Sequence, residues 1–235
     1  MGIRTLVAML VVALAVIGVL ATQASYRLFL PGLLQGALLT IEIAVLGSLL
    51  AVVMGMLAAL ARMYGPAPLR WLATVYVEIF RGTSALVQLF WLFFVLPQFG
   101  VTLDAFLVAV LALGLNVGAY GSECVRGAIQ SVPRGQWEAA KALSLSPQRM
   151  YRSVILPQAI RTVLPALGNY MVAMFKDTPV LSAITVAELM LQAKNIGSES
   201  FRYLEPITMA GLFFLILSIS AAALVHKLEL KLRLP

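Results

Sequence analysis

Long stretches of this chain carry almost no charge. Residues 5–26, 82–103, 105–122 and 206–226 contain no Asp, Glu, Lys or Arg, and residues 28–61 contain only Glu42. Each can form a helix across a hydrocarbon layer of about 30 Å, which takes about 20 residues at about 1.5 Å each. Residues 156–175 are interrupted by Arg161, Pro165 and Gly168, but can also span if their polar groups face other helices. The sequence therefore predicts an all-α, polytopic membrane protein in contact with lipid, with five core transmembrane helices and an extra N-terminal helix.

The first apolar stretch is compatible with two fates. It follows a basic residue, Arg4, as both a signal peptide and a membrane helix do, and residues 21–24 form a fair cleavage site. Its run over residues 5–22 is longer than the roughly 7–15 apolar residues of a signal peptide. We therefore expect a retained helix in an N-terminal segment, residues 1–27, followed by the main membrane domain, residues 28–235.

Basic residues fall mainly on one side of the predicted membrane. If the chain crosses after each span, that side holds Arg62, Arg70, Arg126, Arg134, Lys141, Arg149, Arg152, Arg161, Lys227, Lys231 and Arg233. The other side keeps only Arg27, Lys194 and Arg202. Because basic loops stay in the cytoplasm, we expect the loop at residues 126–158 and the C-terminus to be cytoplasmic. The net charge of +7 follows from this bias and does not indicate a nucleic-acid partner.

The polar residues do not assemble into a catalytic or metal site. Cys124 is the only cysteine and His226 the only histidine, and neither has the neighbours that a metal ion or a nucleophile requires. No phosphate-binding loop of the form G-x-x-x-x-G-K-[ST] occurs. We therefore expect a non-enzymatic protein without cofactor or metal, in which any ATP energy comes from another subunit.

One charged insert stands out between the apolar stretches. Pro133 and Gly135 end the preceding helix, residues 136–143 favour a short helix, and Ser146 with Pro147 begins a second one running to Pro157. The predicted helix-turn-helix knob offers Trp137, Leu143, Met150 and Tyr151 as contact area for a groove on another protein. The alternative is a plain solvated loop whose positive charge stabilises the topology.

The residues of this insert carry a family resemblance. Glu138-Ala139-Ala140, followed by position 144 and by Val154-x-Leu156-Pro157, resembles the EAA loop of ATP-binding-cassette (ABC) importer permeases. Several further motifs, spread over about residues 30–230, are similar to the polar amino-acid uptake subfamily: residues 80–83, 87–90, 119–120, 122–123, 126–127, 135–136 and 176–178. Two departures are visible: Ser144 stands where the family has Gly, and Ser84 where it has Pro. Serine is small enough for the turn if the backbone angles at position 144 are ordinary, whereas a left-handed backbone there would carry strain.

The resemblance implies the fold, the partners and the coupling residues. The fold would be that of a type I (MetI-like) ABC importer permease in a bacterial inner membrane. Its partners would be an ABC ATPase subunit dimer, a second permease subunit, identical or related, and an extracytoplasmic solute-binding protein. The residues implied in ATPase coupling are Gln136, Trp137, Glu138, Ala139, Ala140, Ser144, Leu156 and Pro157.

Charged residues inside apolar spans indicate a solute path. A charge near mid-bilayer costs about 2.5–3.5 kcal/mol and persists only with a partner or a wet cavity, which applies to Glu42, Lys176 and Asp177. Pro179 prevents a regular helix after Asp177 and Thr178, and a broken helix with opposite charges suits a zwitterionic solute. The alternative is a structural ion pair that fixes the bend.

Other polar residues in or beside the spans have local or structural explanations. We expect Glu78 to pair with Arg81, and Glu123 with Arg126, at the spacing i, i+3. Four more side chains are expected either to form hydrogen bonds between helices or to line the path: Gln88, Asn116, Tyr120 and Asn169.

The solute and the transport class remain open at this stage. Residues 175–179 and 201–206 look like ectoine and hydroxyectoine permeases, whereas the subfamily also admits polar amino acids such as Gln, His or Arg. A competing class is a secondary transporter driven by an ion gradient, which can also use a broken helix with buried charges. It predicts two related halves, and none is apparent in 235 residues.

Overall fold

The computed structural model describes residues 3–232, with side chains described at all of these except residues 3, 4, 24, 25 and 232. Nearly all of this part is helical and it contains no strand, so the all-α prediction is confirmed. The α-helices are α1 (Ile3–Ala21), α2 (Ala24–Arg27), α3 (Leu30–Tyr64), α4 (Ala67–Gly82), α5 (Ala85–Phe90), α6 (Ala105–Gln130), α7 (Arg134–Ala142), α8 (Pro147–Met150), α9 (Leu156–Asp177), α10 (Leu189–Ser200) and α11 (Leu204–Leu232). The π turns Trp91–Val95 and Tyr151–Ile155 and the 3₁₀ segments Leu96–Phe99 and Thr178–Ile184 extend or join them.

Three helices in the described part are long and apolar enough to cross a membrane: α3, α6 and residues Leu204–Lys231 of α11. A fourth crossing forms if Ala67–Gly82 and Ala85–Phe99, which meet at 111°, make one broken span. Helix α9 forms where the interrupted span is predicted. With Gln158, Arg161 and Asn169 in its sequence, it is more polar than the three helices that are apolar enough to cross a membrane. The fifth core span therefore stays a prediction that rests on α9.

Helices α3 and α6 approach closely through small residues. A Cβ added at Gly55 of α3 would lie 3.0 Å from the carbonyl oxygen of Gly118 on α6, and one added at Gly118 would lie 2.9 Å from the hydroxyl oxygen of Tyr76 on α4. The Tyr76 hydroxyl donates to the carbonyl of Leu115 at 2.7 Å. Small residues at such crossings let membrane helices pack backbone to backbone. The seam between α3 and α6 thus forms the centre of the bundle, with α4 beside it.

Both π turns end immediately before a Leu-Pro pair, at Pro97 and at Pro157. Proline has no N–H, and its ring collides with the carbonyl four residues earlier in a regular helix. A widened turn ahead of the proline relieves this crowding. The helix that begins at Pro147 therefore does not stop at Pro157, as the sequence suggested, but continues through α9 to Asp177.

The N-terminal helix α1 packs against α11. Ile17 and Leu20 lie against a cluster that contains Met209 and Ala210 of α11. The apolar run predicted as one span is divided, because α1 ends at Ala21 before the short helix α2. The division into an N-terminal segment and a main domain stays a prediction, and Arg233 lies outside the described residues.

Candidate functional site

Helix α7 ends in a tight left-handed turn. The amide of Ser144 donates to the carbonyl of Lys141 at 2.9 Å, and that of Leu145 donates to the carbonyl of Ala140 at 3.1 Å. This bond pair closes a helix that has a left-handed residue, usually glycine, just beyond its end. Ser144 occupies that position with a φ of 52°. The backbone is therefore left-handed where the sequence departs from glycine, at a cost of about 1–2 kcal/mol.

Replacing Ser144 with glycine should stabilise this turn. Glycine removes about 1–2 kcal/mol of strain and costs about 0.5–1 kcal/mol in chain entropy, so a net gain of up to about 1.5 kcal/mol is expected. Amide hydrogen exchange over residues 134–150 of the purified protein should slow by up to about tenfold. Ser144→Val, which cannot relieve the strain, should accelerate exchange. Faster exchange in Ser144→Gly would contradict this account of the turn.

Helix α7 has an anchored face and a free face. Ala140 is 2% exposed and packs in a cluster with Ala59 of α3, Ile129 of α6 and Met150, which is also buried. On the free face Glu138 and Ala139 are exposed, and so is Leu143. Of the contact residues expected from the sequence, Leu143 lies outward and Met150 inward, while Trp137 and Tyr151 are half-buried. One side of the predicted knob thus holds it to the bundle and the other remains open.

Three aromatic rings connect α7 to the end of α3. Trp137 meets Tyr151 edge-on with ring centroids 5.5 Å apart, and Tyr151 meets Tyr64 edge-on at 5.4 Å. The hydroxyl of Tyr151 also donates to that of Tyr64 at 2.9 Å. Edge-to-face pairs of this kind contribute about 0.5–1.5 kcal/mol each beyond buried area. The rings therefore fix the position of α7 relative to a membrane-crossing helix.

The other three residues implied in ATPase coupling, Gln136, Leu156 and Pro157, lie where α7 and the start of α9 approach each other. The side-chain amide of Gln158 donates to the side-chain oxygen of Gln136 at 3.4 Å and to the carbonyl of Val154 at 2.9 Å. Leu156 and Pro157 form the first turn of α9 and are both exposed. The knob is thus continuous with α9, whose far end carries the predicted solute residues.

The predicted break at the far end of α9 is present. The helix ends at Asp177, a 3₁₀ segment follows, and Thr185 turns the chain with a φ of 62°. Lys176 and Asp177 are exposed, as is Glu42 on α3. Thr178 is fully buried, and its hydroxyl donates to the carbonyl of Phe175 at 3.0 Å.

No salt bridge within the described residues involves Lys176, Asp177 or Glu42. Contact with a solute and a structural role at the bend both stay predictions for Lys176 and Asp177, which are exposed at this end of the helix. The Thr178 hydroxyl is bonded within its own helical turn.

A polar network holds the bend between α4 and α5. The Gln88 amide donates to the Phe80 carbonyl at 2.9 Å and to the Thr83 hydroxyl at 2.7 Å. Asn116 of α6 donates to the same carbonyl at 3.1 Å and to the Gln88 side-chain oxygen at 3.0 Å. These bonds satisfy backbone groups released by the break, as a membrane interior requires. Helix α5 therefore begins directly after Ser84, although this serine stands where the family has proline and its hydroxyl makes no capping hydrogen bond.

Glu123 of α6 gathers three arginines. It pairs with Arg126 as predicted, and also with Arg62 at the end of α3 and Arg81 near the end of α4. The predicted pair between Glu78 and Arg81 is wrong, because the Arg81 guanidinium reaches Glu123 at 3.6 Å instead. The local spacing rule could not find this cluster, since its members come from three helices.

Sequence reasoning also missed Glu188. This carboxylate is fully buried and accepts the amides of Met190 and Leu191 at 2.9 Å each, which caps α10. The Thr40 hydroxyl of α3 accepts the amide of Leu189 at 3.1 Å. Glutamate is not among the preferred capping residues, so the pattern gave no indication of the cap.

The comparison with protein families decides the class. Residues 51–234 match the model of the binding-protein-dependent transport system inner membrane component. The chain belongs to this family of permease components.

Relatives agree with this assignment. The permease is 48% identical over 203 residues to the "Probable amino-acid ABC transporter permease protein y4tG" of Sinorhizobium fredii, covering 86% of this chain and 88% of that one. It is 42% identical to the L-cystine transport system permease protein TcyB of Bacillus subtilis, over 87% of this chain and 88% of the relative. It is 38% identical to the glutamine transport system permease protein GlnP of Escherichia coli, over 87% and 94%.

Solved structures show the same fold. The permease superposes on the crystal structure of an amino acid ABC transporter with histidines, with a TM-score of 0.82 at 36% identity over 88% of this chain and 97% of that one. The inward-facing MetNI methionine ABC transporter shares the fold alone, with a TM-score of 0.74 at 16% identity over 90% and 100%. The predicted type I permease fold is therefore confirmed.

Proposed function

We propose that the permease is one half of the membrane pathway of an ABC importer for a polar amino acid, driven through α7 by a separate ATPase subunit. The observation that carries the proposal is the division of α7 into two faces. Ala140 and Trp137 hold the helix to the bundle, while Glu138, Ala139 and Leu143 are exposed together. Exposed apolar area beside a charge on a rigidly held helix is suited to a groove on a partner protein.

Movement of α7 would reach the solute residues through one helical rod. Residues 147–177 form a continuous helix, with one π turn, of about 45 Å at about 1.5 Å per residue. Its first part packs under α7 through Met150, and its last residue is Asp177. Closure of an ATPase dimer would displace α7, and the rod would carry the displacement to the break, as in rigid-body switches of packed helices.

The solute is proposed from the charges at the break and from the relatives. Lys176 and Asp177 offer opposite charges without a salt bridge between them, which suits a zwitterion, and Glu42 is the third exposed charge of the proposed path. Proteins named for cystine and glutamine transport are among the relatives. Ectoine or hydroxyectoine is the narrower candidate, supported only by residues 175–179 and 201–206. An ion-gradient-driven transporter is not favoured, because the family match places the chain with binding-protein-dependent systems.

The assembly we propose has α7 and the C-terminus in the cytoplasm. Two permease subunits, identical or related, would face one ATPase dimer on that side and an extracytoplasmic solute-binding protein on the other. The exposed charges Glu42, Lys176 and Asp177 would then face the partner permease or the path rather than lipid. The permease itself would carry no ATPase chemistry, and α1 would be an accessory helix on the main domain of residues 28–235.

The proposal is tested by reconstitution from native membranes. An ATPase subunit should co-purify with the permease, and proteoliposomes containing both should accumulate polar amino acids or ectoine when ATP is enclosed and the binding protein is supplied. Collapsing the proton and sodium gradients should leave uptake unchanged. Uptake that follows an ion gradient and ignores ATP would assign the chain to the competing class.

A further inference from the structure

Three guanidinium groups surround the single carboxylate of Glu123. Arg62 donates to one carboxylate oxygen, and Nε of Arg126 donates to the other at 3.0 Å. Arg81 is a third cation, 3.6 Å from the first oxygen. Both carboxylate oxygens thus already accept hydrogen bonds from Arg62 or Arg126, and Arg81 is the least tightly bound of the three arginines.

The charges of this cluster do not balance. Three arginines against one glutamate leave a surplus of two positive charges. Glu78, one turn before Arg81, makes no salt bridge in the part of the chain that the structure describes. Because charges interact more strongly in a partly dehydrated site than in water, surplus guanidinium groups attract an anion there.

Two of the three arginines are accessible. The side chains of Arg81 and Arg126 are each 38% exposed, whereas those of Arg62 and Glu123 are 17% and 19% exposed. Arg62 and Glu123 thus form the closed base of the cluster. Arg81 and Arg126 form its open side.

Arg81 lies beside aromatic rings that lead to α9, the helix that carries two of the proposed solute residues. The Arg81 guanidinium lies 5.6 Å from the ring centre of Tyr120, which stacks on Tyr170 of α9 at 6.1 Å. Tyr170 lies seven residues, about 10 Å, before Asp177 on the same helix. The cluster therefore lies on the seam where α4, α6 and α9 meet, between the break and the α7 end of the bundle.

We propose that Arg81 and Arg126 bind the carboxylate of the transported solute on its way to the cytoplasm. The planar fork of arginine matches a carboxylate with two parallel hydrogen bonds. Arg81 offers such a fork, because it lies 3.6 Å from Glu123. At Arg126, which donates to Glu123 and to the side chain of Gln130, the incoming carboxylate would replace these acceptors while Arg62 keeps Glu123 in place. Because Glu123 competes with the solute carboxylate for the arginines, the solute stays bound there only briefly and can be released. This inference rests on the proposed function and adds to it a second station, distinct from Lys176 and Asp177.

Cys124 provides a built-in probe of the site. It is the only cysteine of the chain, is partly exposed, and follows Glu123 directly. Its alkylation rate can be measured by mass spectrometry of the labelled peptide, in the permease–ATPase complex held in nanodiscs of zwitterionic lipid. Acetate, at constant ionic strength, should slow alkylation, and acetamide, which lacks the charge, should not.

Variants give opposite signs if the arginines bind an anion. Arg81→Gln and Arg126→Gln should each raise the half-protecting acetate concentration about tenfold or more, Arg81→Lys should have a smaller effect, and Glu123→Gln should lower it. Lys227→Gln, at an exposed position of α11 outside both the cluster and the coupling loop, is the matched control and should leave acetate protection unchanged. Amino-acid uptake should fall in Arg81→Gln while ATP hydrolysis stays coupled to the binding protein.

Several outcomes would overturn the site without touching the proposed function. If Arg81→Gln and Glu123→Gln both loosen the fold and neither alters acetate protection, the cluster is only a clamp between helices. If nanodiscs with phosphatidylglycerol protect Cys124 and acetate does not, the arginines bind lipid phosphate. If the unmodified complex shows no ATP-driven uptake of solute, the proposed function itself is refuted.

Discussion

Glu138→Lys should reduce binding-protein-stimulated ATP hydrolysis to the basal rate of the reconstituted complex. Glu138 is exposed on the free face of α7, next to Ala139, so a lysine there adds length and reverses the charge where the ATPase would dock. Losing one central contact of an interface costs about 2 kcal/mol or more, or about 30-fold in affinity. Solute uptake should fall by at least that factor, measured with ATP hydrolysis in the same proteoliposomes.

The fold should survive this change, because Glu138 makes no hydrogen bond or salt bridge in the described part of the chain. Membrane insertion and thermal stability of Glu138→Lys should therefore match the unmodified permease. Gln148→Lys adds a positive charge at an exposed position of α8 in the same loop, and should couple normally. Normal stimulation in Glu138→Lys would remove α7 as the docking helix.

The knob could be predicted from sequence because its determinants are local. Pro133 before α7 and Pro147 at the start of α8 set its helix boundaries, and both appear where expected. The backbone at Ser144 was left open by the sequence, which allowed either ordinary angles or a strained left-handed turn, and the structure has the left-handed turn with a φ of 52°. What could not be read was which side of α7 is anchored, because that depends on residues of α3 and α6 far away in the chain.

Ion pairs show the same limit more sharply. The spacing rule predicted two pairs at i, i+3, and only Glu123 with Arg126 formed. Arg81 pairs with Glu123 instead of Glu78 because the bend between α4 and α5 brings the end of α4 against α6. Hydrogen bonds of Gln88 and Asn116 hold this end of α4 in place. Tertiary geometry outweighs a local pair worth about 0.2–0.5 kcal/mol.

Membrane spans were predicted best where composition alone decides. Helices α3, α6 and α11 each contain a long apolar stretch, and these stretches match parts of the sequence with at most one charged residue. Helix α9 is amphipathic, with Arg161 and Asn169 exposed and Gly168 packed against Val225 of α11. Its place in the bundle depends on neighbours that cover its polar side, which hydropathy does not record.

Asp177→Asn should separate transport from ATPase coupling. Asp177 is the last residue of the helix that starts under α7, and its carboxylate is exposed and makes no salt bridge within the described residues, so it can bind the ammonium group of a zwitterionic solute. A hydrogen bond to a charged group contributes about 1.5–3 kcal/mol, which predicts a loss of about 10- to 100-fold in uptake at low solute concentration. Stimulation of ATP hydrolysis by the binding protein should persist, because α7 and its aromatic contacts are untouched.

The matched control for Asp177→Asn is Glu199→Gln. Glu199 is also an exposed acid in the half of the chain beyond the break, on α10, and it has no salt-bridge partner among the described residues. Its neutralisation should leave uptake unchanged, since it does not lie on the rod. If Asp177→Asn transports as well as Glu199→Gln, then Asp177 does not contact the solute, and the opposite charges at the end of α9 have no role in transport. If it instead loses ATPase stimulation along with uptake, the break is part of the coupling path, and the solute site must be sought nearer to Arg81 and Tyr120.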